Sequence, residues 1–420
     1  MENNLPKGWV ECSLGEILVA KKGKKPASVI NESKAGYVPY ILIDEMEGKQ
    51  IRAYTNDPKV SIIDESEVLL VWDGSIGKCG SGLKGAIGST LVGLKALDKI
   101  QTKFLEYTVK QQSNFINETS TGTGLQHINK DFFEICKIPL PPLSEQHRIV
   151  AKLDALMQKV ESNKQRLDKI PKLLKRFRES VLAAIFNNDV EEVIVQNICE
   201  EIQIGPFGTQ LHRHEYILNG IPIINPTHIQ NGVIIPDMYL TISKAKFNEL
   251  QNYHLKDGDV VMGRRGEMAR CALIGNKEDG WLCGTGSLFF RPNLKKINSK
   301  YLYWVLSNSY TKAFLEREAK GSTMSNLNLN IVRNIPIPLP SIEDQKNLVK
   351  QLEHLFAYAD KIESRYNKTK AMLDKLPLSI LAKAFRGELV PQDPNDEPAR
   401  ALLERIKAEK EKLATHKKKK

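Results

Sequence analysis

The sequence predicts an α+β protein in which two mixed α/β domains are separated by two long helices pairing as an antiparallel coiled coil, with an internal pseudo-twofold repeat. Three observations predict it. The segment starting at Ile138 returns at Ile337, an offset of 199 residues held without a gap for about fifty positions. Each copy carries an apolar seam that alternates by four and three, the spacing of a coiled coil. Ahead of each copy lie short apolar runs bounded by Gly, Asn and Asp, which read as strands.

The first domain is expected over residues 1–137. Strands are read at Tyr37-Val-Pro-Tyr-Ile-Leu-Ile43 and Val68-Leu-Leu-Val-Trp72, and a helix near 104–115 closes the domain. The first helical spacer, 138–190, opens with Ile138-Pro-Leu-Pro-Pro-Leu-Ser-Glu-Gln146. Its prolines cannot be helical, so the helix begins after them, with Ser144 as the expected N-cap. The seam then runs through Ile149, Leu153, Leu156, Val160, Leu167 and Leu174. Asn163 in that seam either sets the register or is a polar residue tolerated in a loose layer. An interior proline costs about 3 kcal/mol, so Pro171 predicts a break or kink near Ile170.

The second domain is expected over 191–336, with strands at Ile221-Pro-Ile-Ile224 and Asp259-Val-Val-Met262 and a helical stretch near 301–319. It shares the plan of the first but little of its sequence. Glu67-Val-Leu-Leu-Val-Trp-Asp-Gly74 aligns with Asp259-Val-Val-Met-Gly-Arg-Arg-Gly266, and Gly122-Thr-Gly-Leu125 with Gly321-Ser-Thr-Met324. The second helical spacer, 337–390, repeats the opening as Ile337-Pro-Leu-Pro-Ser-Ile-Glu-Asp-Gln345, and its seam runs through Leu348, Leu352, Leu355, Ile362, Leu373 and Ile380. Residues 391–420 read as a linker, an amphipathic helix over 399–413 and a disordered basic end at 417–420.

At 420 residues, with 41% hydrophobic and 26% charged side chains, the chain has the balance of a soluble protein too large for one core. Its apolar stretches fall far short of the roughly 20 residues that span a bilayer, so no membrane partner is expected. The start, Met1-Glu-Asn-Asn-Leu-Pro-Lys-Gly-Trp9, lacks the basic region and apolar run of a secretion signal, so none is expected. Six cysteines without a C-x-x-C pair read as free thiols in a reducing cytoplasm, and no metal site is expected. The net charge of +11 suggests a polyanionic partner, yet the two domains together hold 33 basic and 31 acidic residues. The excess lies mainly on 138–190, with ten basic against six acidic residues, and on 396–420, with nine against five. If the polyanion is DNA, near-neutral domains should bind it weakly by themselves and need added phosphate contacts from elsewhere.

Two antiparallel helices of about 40 residues, about 60 Å long, put unlike domains at opposite ends of a rod. Such a pseudo-dyad molecule can present one domain to each of two different DNA half-sites. The alternative from another class is a non-DNA coiled-coil scaffold for protein partners.

The motifs Ile138-Pro-Leu-Pro-Pro-Leu-Ser-Glu-Gln146, Leu173-Leu-Lys-Arg-Phe-Arg178, Leu355-Phe-Ala-Tyr-Ala-Asp360 and Ser379-Ile-Leu-Ala-Lys-Ala-Phe-Arg-Gly-Glu-Leu389 resemble the specificity subunit of a type I restriction-modification enzyme. Gly205-Pro-Phe-Gly-Thr209 and Gly258-Asp-Val-Val-Met-Gly-Arg-Arg-Gly266 look like segments of that family's target-recognition domains. The resemblance implies double-stranded DNA with a bipartite asymmetric site as the ligand, each domain reading one half. It also implies two modification subunits forming an adenine-N6 methyltransferase and two restriction subunits for translocation and cleavage. S-adenosylmethionine, ATP and Mg2+ then belong to those partners, and no cofactor to this chain. A cytoplasmic protein, nucleoid-associated when on DNA, follows.

The catalytic motifs such an enzyme needs are missing here. Asn225-Pro-Thr-His228 lacks the second proline and the aromatic of an amine-holding methyltransferase loop. Gly74-Ser-Ile-Gly-Lys-Cys79 misplaces the first glycine of a P-loop and ends on cysteine. The pair His212 and His214 could ligate a metal, but no thiolate or carboxylate cluster stands at zinc spacing. The chain is therefore expected to be non-catalytic. Base readers are cationic or amide side chains on loops, Arg gripping guanine and Lys mainly phosphate. Three groups qualify. Lys21, Lys22, Lys24 and Lys25 flank Gly23 in a loop after the first predicted strand; Gln210, His212, Arg213 and His214 follow a glycine-rich turn. Arg264, Arg265 and Arg270 bracket Gly266, and the matching site of the first domain offers Trp72, Asp73 and Lys78. For each group the other reading is an exposed charged loop that contacts nothing.

Overall fold

The computed structural model describes residues 5–122, 124, 126–186, 190–267, 269–319 and 327–418, with side chains through 413. The alignment of Gly122–Leu125 with Gly321–Met324 therefore lies largely outside the described residues. The chain folds into two compact units, Met1–Leu167 with Lys368–Lys420, and Asp168–Asn367. Both units mix helices and sheets.

In the first unit a four-stranded antiparallel sheet has the order Leu18–Lys22, Leu91–Ala96, Glu67–Val71, Cys79–Ser81. The central strand Glu67–Val71 is buried along its whole length, because its two faces serve two cores. Val68 and Leu70 face the core that holds Phe104, Leu105 and Val109 of the helix Thr102–Gln111. Leu69 and Val71 face a smaller core with Ile41, Ile63 and Ile87, as the two-residue period of a strand requires. Those last three residues come from a second four-stranded sheet, ordered Tyr54–Thr55, Val38–Ile41, Gly85–Ile87, Ile62–Ile63. The strand read through Ile43 is shorter than expected, since Ile43 begins the helical turn Ile43–Met46.

The second unit repeats this plan. Its antiparallel sheet is ordered Cys199–Ile204, Ser287–Pro292, Val260–Gly263, Cys271–Leu273. Val260 and Met262 face the core containing Tyr301, Leu302 and Val305, and Val261 faces the other with Ile224 and Phe289. The second sheet is ordered Tyr216–Ile217, Thr241–Ile242, Ile221–Ile224, Leu282–Cys283. In both units the closing helical stretch is two helices, Thr102–Gln111 with Ser113–Thr119 and Ser299–Leu306 with Ser309–Ala319. A short antiparallel pair joins the start of each domain to the proline-rich strand before the following helix: Val10 opposes Leu140, and Glu192 opposes Pro338.

The first long helix runs Leu143–Leu167 and resumes as Ile170–Phe186. Pro171 thus sits in the first turn of a new helix, where it gives up no intrahelical bond. Ser144 lies inside the first turn and is not the N-cap; Gln146 N donates to Pro142 O at 2.9 Å, so the helix springs from the proline itself. In the second copy Ser341 holds Pro142's place, and its Oγ accepts from Asp344 N at 3.2 Å ahead of the helix Ile342–Phe385.

Seam residues Ile149, Leu153 and Val160 share one core with Ile380, Leu381 and Phe385 in the first unit, with Leu156 and Leu373 packed on it. Lys164 pairs there with Asp374 at 3.1 Å. In the second unit Arg178 reaches Asp360 at 2.7 Å and Glu363 at 2.9 Å, and Leu174 and Leu352 are buried. Leu348 packs on that unit's core. Leu167, Leu355 and Ile362 are half-buried, whereas Asn163 is exposed.

The C-terminal helix Ala399–Lys418 belongs to the first unit. Ala399, Leu402, Leu403 and Ile406 enter its core, and Arg148–Asp396 at 2.7 Å and Arg405–Asp98 at 3.3 Å flank them. The helix continues through Lys417 and Lys418, so the basic end is helical that far and not a disordered tail; residues 419–420 lie outside the described residues. All six cysteines are free thiols. Among the described residues no helix is long and apolar enough to cross a membrane.

Candidate nucleic-acid interface

Five segments distant in sequence meet at one end of the first domain's sheet, tied by backbone bonds. Gly23 N donates to Leu91 O at 2.9 Å, Trp72 N to Thr90 O at 2.8 Å, Gly88 N to Ile41 O at 2.9 Å, and Ile128 N to Trp72 O at 3.0 Å. The second domain builds the same junction. Gly205 N donates to Ser287 O at 3.0 Å, Arg264 N to Gly286 O at 2.9 Å, Gly284 N to Ile224 O at 2.9 Å, and Leu327 N to Arg264 O at 3.0 Å. Glycine is required at the crossing point of each. A Cβ on Gly23 would lie 2.0 Å from Gly88 O, and one on Gly205 would lie 2.0 Å from Gly284 O.

Because their backbone groups satisfy one another, the loops leaving each junction are held in place while their side chains are left to vary. Only part of each candidate group lies on these loops. Lys21 and Lys22 are in the strand Leu18–Lys22, not in a loop, because their backbones pair with Gly93 and Val92. Lys21 Nζ donates to Ile62 O at 2.8 Å, and Lys22 Nζ pairs with Asp73 at 3.4 Å. Lys24 and Lys25 follow Gly23 and are exposed. Trp72 is half-buried with its ring 5.3 Å from Phe133 and packs on the core, so its indole serves the fold. Lys78 is ion-paired with Glu47.

In the second domain Arg264 is half-buried and Arg265 exposed on the loop that matches Trp72 and Asp73. Burial and the adjacent Arg265 hold the Arg264 guanidinium below its ordinary value. Arg270, which matches Lys78, is anchored on Pro226 O at 3.1 Å and Glu267 at 2.9 Å. Gln210 is a local brace, its Oε1 accepting from Phe207 N at 3.2 Å and Tyr253 Oη at 2.9 Å. His212 and His214 stack with ring centroids 5.5 Å apart, next to exposed Arg213. Among the described residues no group of three His, Cys, Asp or Glu is arranged to hold a metal ion.

Sequence reasoning missed two side chains. Phe207, 62% exposed, projects from the Gly205 loop, and the Gly205-Pro-Phe-Gly-Thr209 motif was its signal. His127 had no local signal; its Nδ1 lies 2.6 Å from Asp73 Oδ1 because residues 126–128 lie against the loop after Val71, Gly74 N donating to Gln126 O and Ile128 N to Trp72 O.

The model of the family described as type I restriction modification DNA specificity domain matches residues 6–172 and 209–370. The EcoDI specificity subunit of a type I restriction enzyme from Escherichia coli is 30% identical, over 97% of this chain and 96% of its own length. The MjaVIII specificity subunit from Methanocaldococcus jannaschii is 27% identical, over 92% and 94%. Among solved structures, the HsdS subunit from Thermoanaerobacter tengcongensis shares the fold at TM-score 0.62 and 22% identity, covering 92% of this chain and 98% of that one. A chain solved in work on assembly and conformational transition of the type I R-M system matches at TM-score 0.72 and 22% identity, over 92% and 100%.

Proposed function

The chain belongs to the type I restriction modification DNA specificity family, and from that premise we propose that its two junctions read the two halves of a bipartite DNA site. The chain is a specificity subunit and not a catalytic one. One observation carries the proposal: the same backbone junction occurs twice, with Trp72 and Asp73 on one copy and Arg264 and Arg265 on the other. A frame repeated with different side chains suits two related tasks on two different sequences.

The helices are the ruler of this proposal. The pairs Lys164–Asp374 and Arg178–Asp360, one in each unit, support antiparallel pairing of the two long helices. The spacers 138–190 and 337–390 also supply the docking faces for two modification subunits, with two restriction subunits beyond them. S-adenosylmethionine, ATP and Mg2+ act on those partners. The setting is the cytoplasm, on the nucleoid.

Selection from a randomised duplex library by the full chain with its modification subunit tests the reading. A split consensus is expected, and a single continuous consensus overturns it. Arg265→Ala should relax one position of one half-site by about 1–3 kcal/mol and leave the other half unchanged. Equal weakening on every sequence would mean that the arginine only grips phosphate.

A further inference from the structure

Lys22, Asp73 and His127 converge in the first domain from three segments. Both oxygens of Asp73 are engaged, Oδ1 by His127 Nδ1 at 2.6 Å and Oδ2 by Lys22 Nζ at 3.4 Å. The imidazole is also held through its backbone: His127 N donates to Thr121 O at 2.9 Å, Thr121 N donates to His127 O at 3.0 Å, and Gly74 N donates to Gln126 O at 2.9 Å. Asp73 is largely covered, at 15% side-chain exposure, whereas His127 is 44% and Lys22 58% exposed. A carboxylate only accepts, so the ring nitrogen facing Asp73 is the donor, and in a neutral ring bonded this way Nε2 is the acceptor. Lys22 offsets the carboxylate charge, which at a DNA-facing loop would otherwise repel phosphate.

The matching loop of the second domain carries Arg264 and Arg265, which can only donate. In the major groove guanine presents acceptors, while adenine N6 and cytosine N4 present donors. We infer that His127, oriented by Asp73, reads the first half-site by accepting a hydrogen bond from an exocyclic amine of adenine or cytosine, where the second domain's arginines donate to guanine. The inference rests on the bipartite reading above and adds which atom of which residue reads one position. Asp73 is a positioning residue, since both its oxygens are committed within the protein.

The test uses the full chain with its modification subunit on the selected duplex. His127→Ala should lose about 5- to 100-fold of discrimination at one base pair of one half-site. Asp73→Ala should lose it at that same pair, and Asp73→Asn, whose amide oxygen still accepts from Nδ1–H, should keep part of it. Removing the amine, with purine for adenine or 2-pyrimidinone for cytosine at that pair, should cost the unmutated chain the same factor and cost His127→Ala nothing. Uniform loss on all sequences, losses at different pairs for the two residues, or indifference to the missing amine each overturn the inference while leaving the split consensus standing. Absence of a split consensus for the unmutated chain overturns the underlying reading instead.

Discussion

In the first domain the strand Glu67–Val71 opens on Glu67, whose ladder partner Lys95 is exposed. In the second the matching positions are Asp259 and Arg291, and there the guanidinium is drawn inward. Its Nε and Nη2 reach the two oxygens of Asp259 at 3.1 and 2.9 Å, Nη2 also donates to His254 O at 2.9 Å, and Nη1 pairs with Glu201. The contrast is the same at the loops, where Trp72 and Asp73 stand against Arg264 and Arg265. The backbone junction is common to both domains, and the polar chemistry laid over it is not. Side chains that leave a self-satisfied backbone can be exchanged without rebuilding the fold.

The largest effect should separate the two matching cations. Arg291→Met leaves Asp259, 1% exposed, without its cationic partner, and should cost about 3–5 kcal/mol in thermal unfolding. Lys95→Met removes an exposed cation and should stay within about 0.5 kcal/mol. Equal costs would break the contrast.

The junction predicts the opposite, a symmetric response. Gly23→Ala and Gly205→Ala each drive a methyl group against a carbonyl and should each destabilise by about 3 kcal/mol. Gly266→Ala, at φ +80 with open space around it, should cost about 1–2 kcal/mol. A large loss at one junction glycine and none at the other would mean that the frame is not shared.

The smallest difference is in acid. Burial pushes the Glu106 carboxyl up, but hydrogen bonds from Lys103, Lys110 and Ser81 outweigh it and hold it below the usual range. A depressed carboxyl stabilises above its unfolded pKa, and that contribution is lost as pH falls through the folded value. Counted from the helix N-caps Gln101 and Asn298, the second domain has Tyr303 at this place. Glu106→Gln should therefore lower the unfolding free energy by about 1 kcal/mol at pH 7, and the gap to the unmutated chain should narrow and close as pH falls past the ordinary glutamate range through the depressed folded value. A gap that persists in acid would assign the effect to packing.

The repeat, the central strands and the helix break were legible because each is written in contiguous residues. Ile221-Pro-Ile-Ile224 is a strand over those four residues, and Pro171 interrupts the helix within a few residues of itself. The family was legible for the same reason, in the run Ile138–Gln146 and its second copy. The junction was not, because it joins residues near 23, 41, 72, 90 and 128 through main-chain atoms that every residue type carries. Lys21 and Lys22 looked like a loop beside Gly23, yet the ladder to Val92 and Gly93 extends the strand to them. Trp72 looked like a reader, but a large aromatic beside Phe133 gains more from the core. His127 became a candidate only once the chain had folded back to Asp73.

The short strand pairs at the base of each domain have a genetic consequence. Val10 faces Leu140 and Glu192 faces Pro338, so each domain's chain departs about 5 Å from where it arrives. A coding segment bounded just inside these pairs, after Ser13 and before Lys137 or after Ile194 and before Pro336, could be replaced by another of different length and content, and the helices would still meet the same pair of strands. Inheritance of a new DNA target would then require one recombination at each boundary and no compensating change elsewhere in the gene.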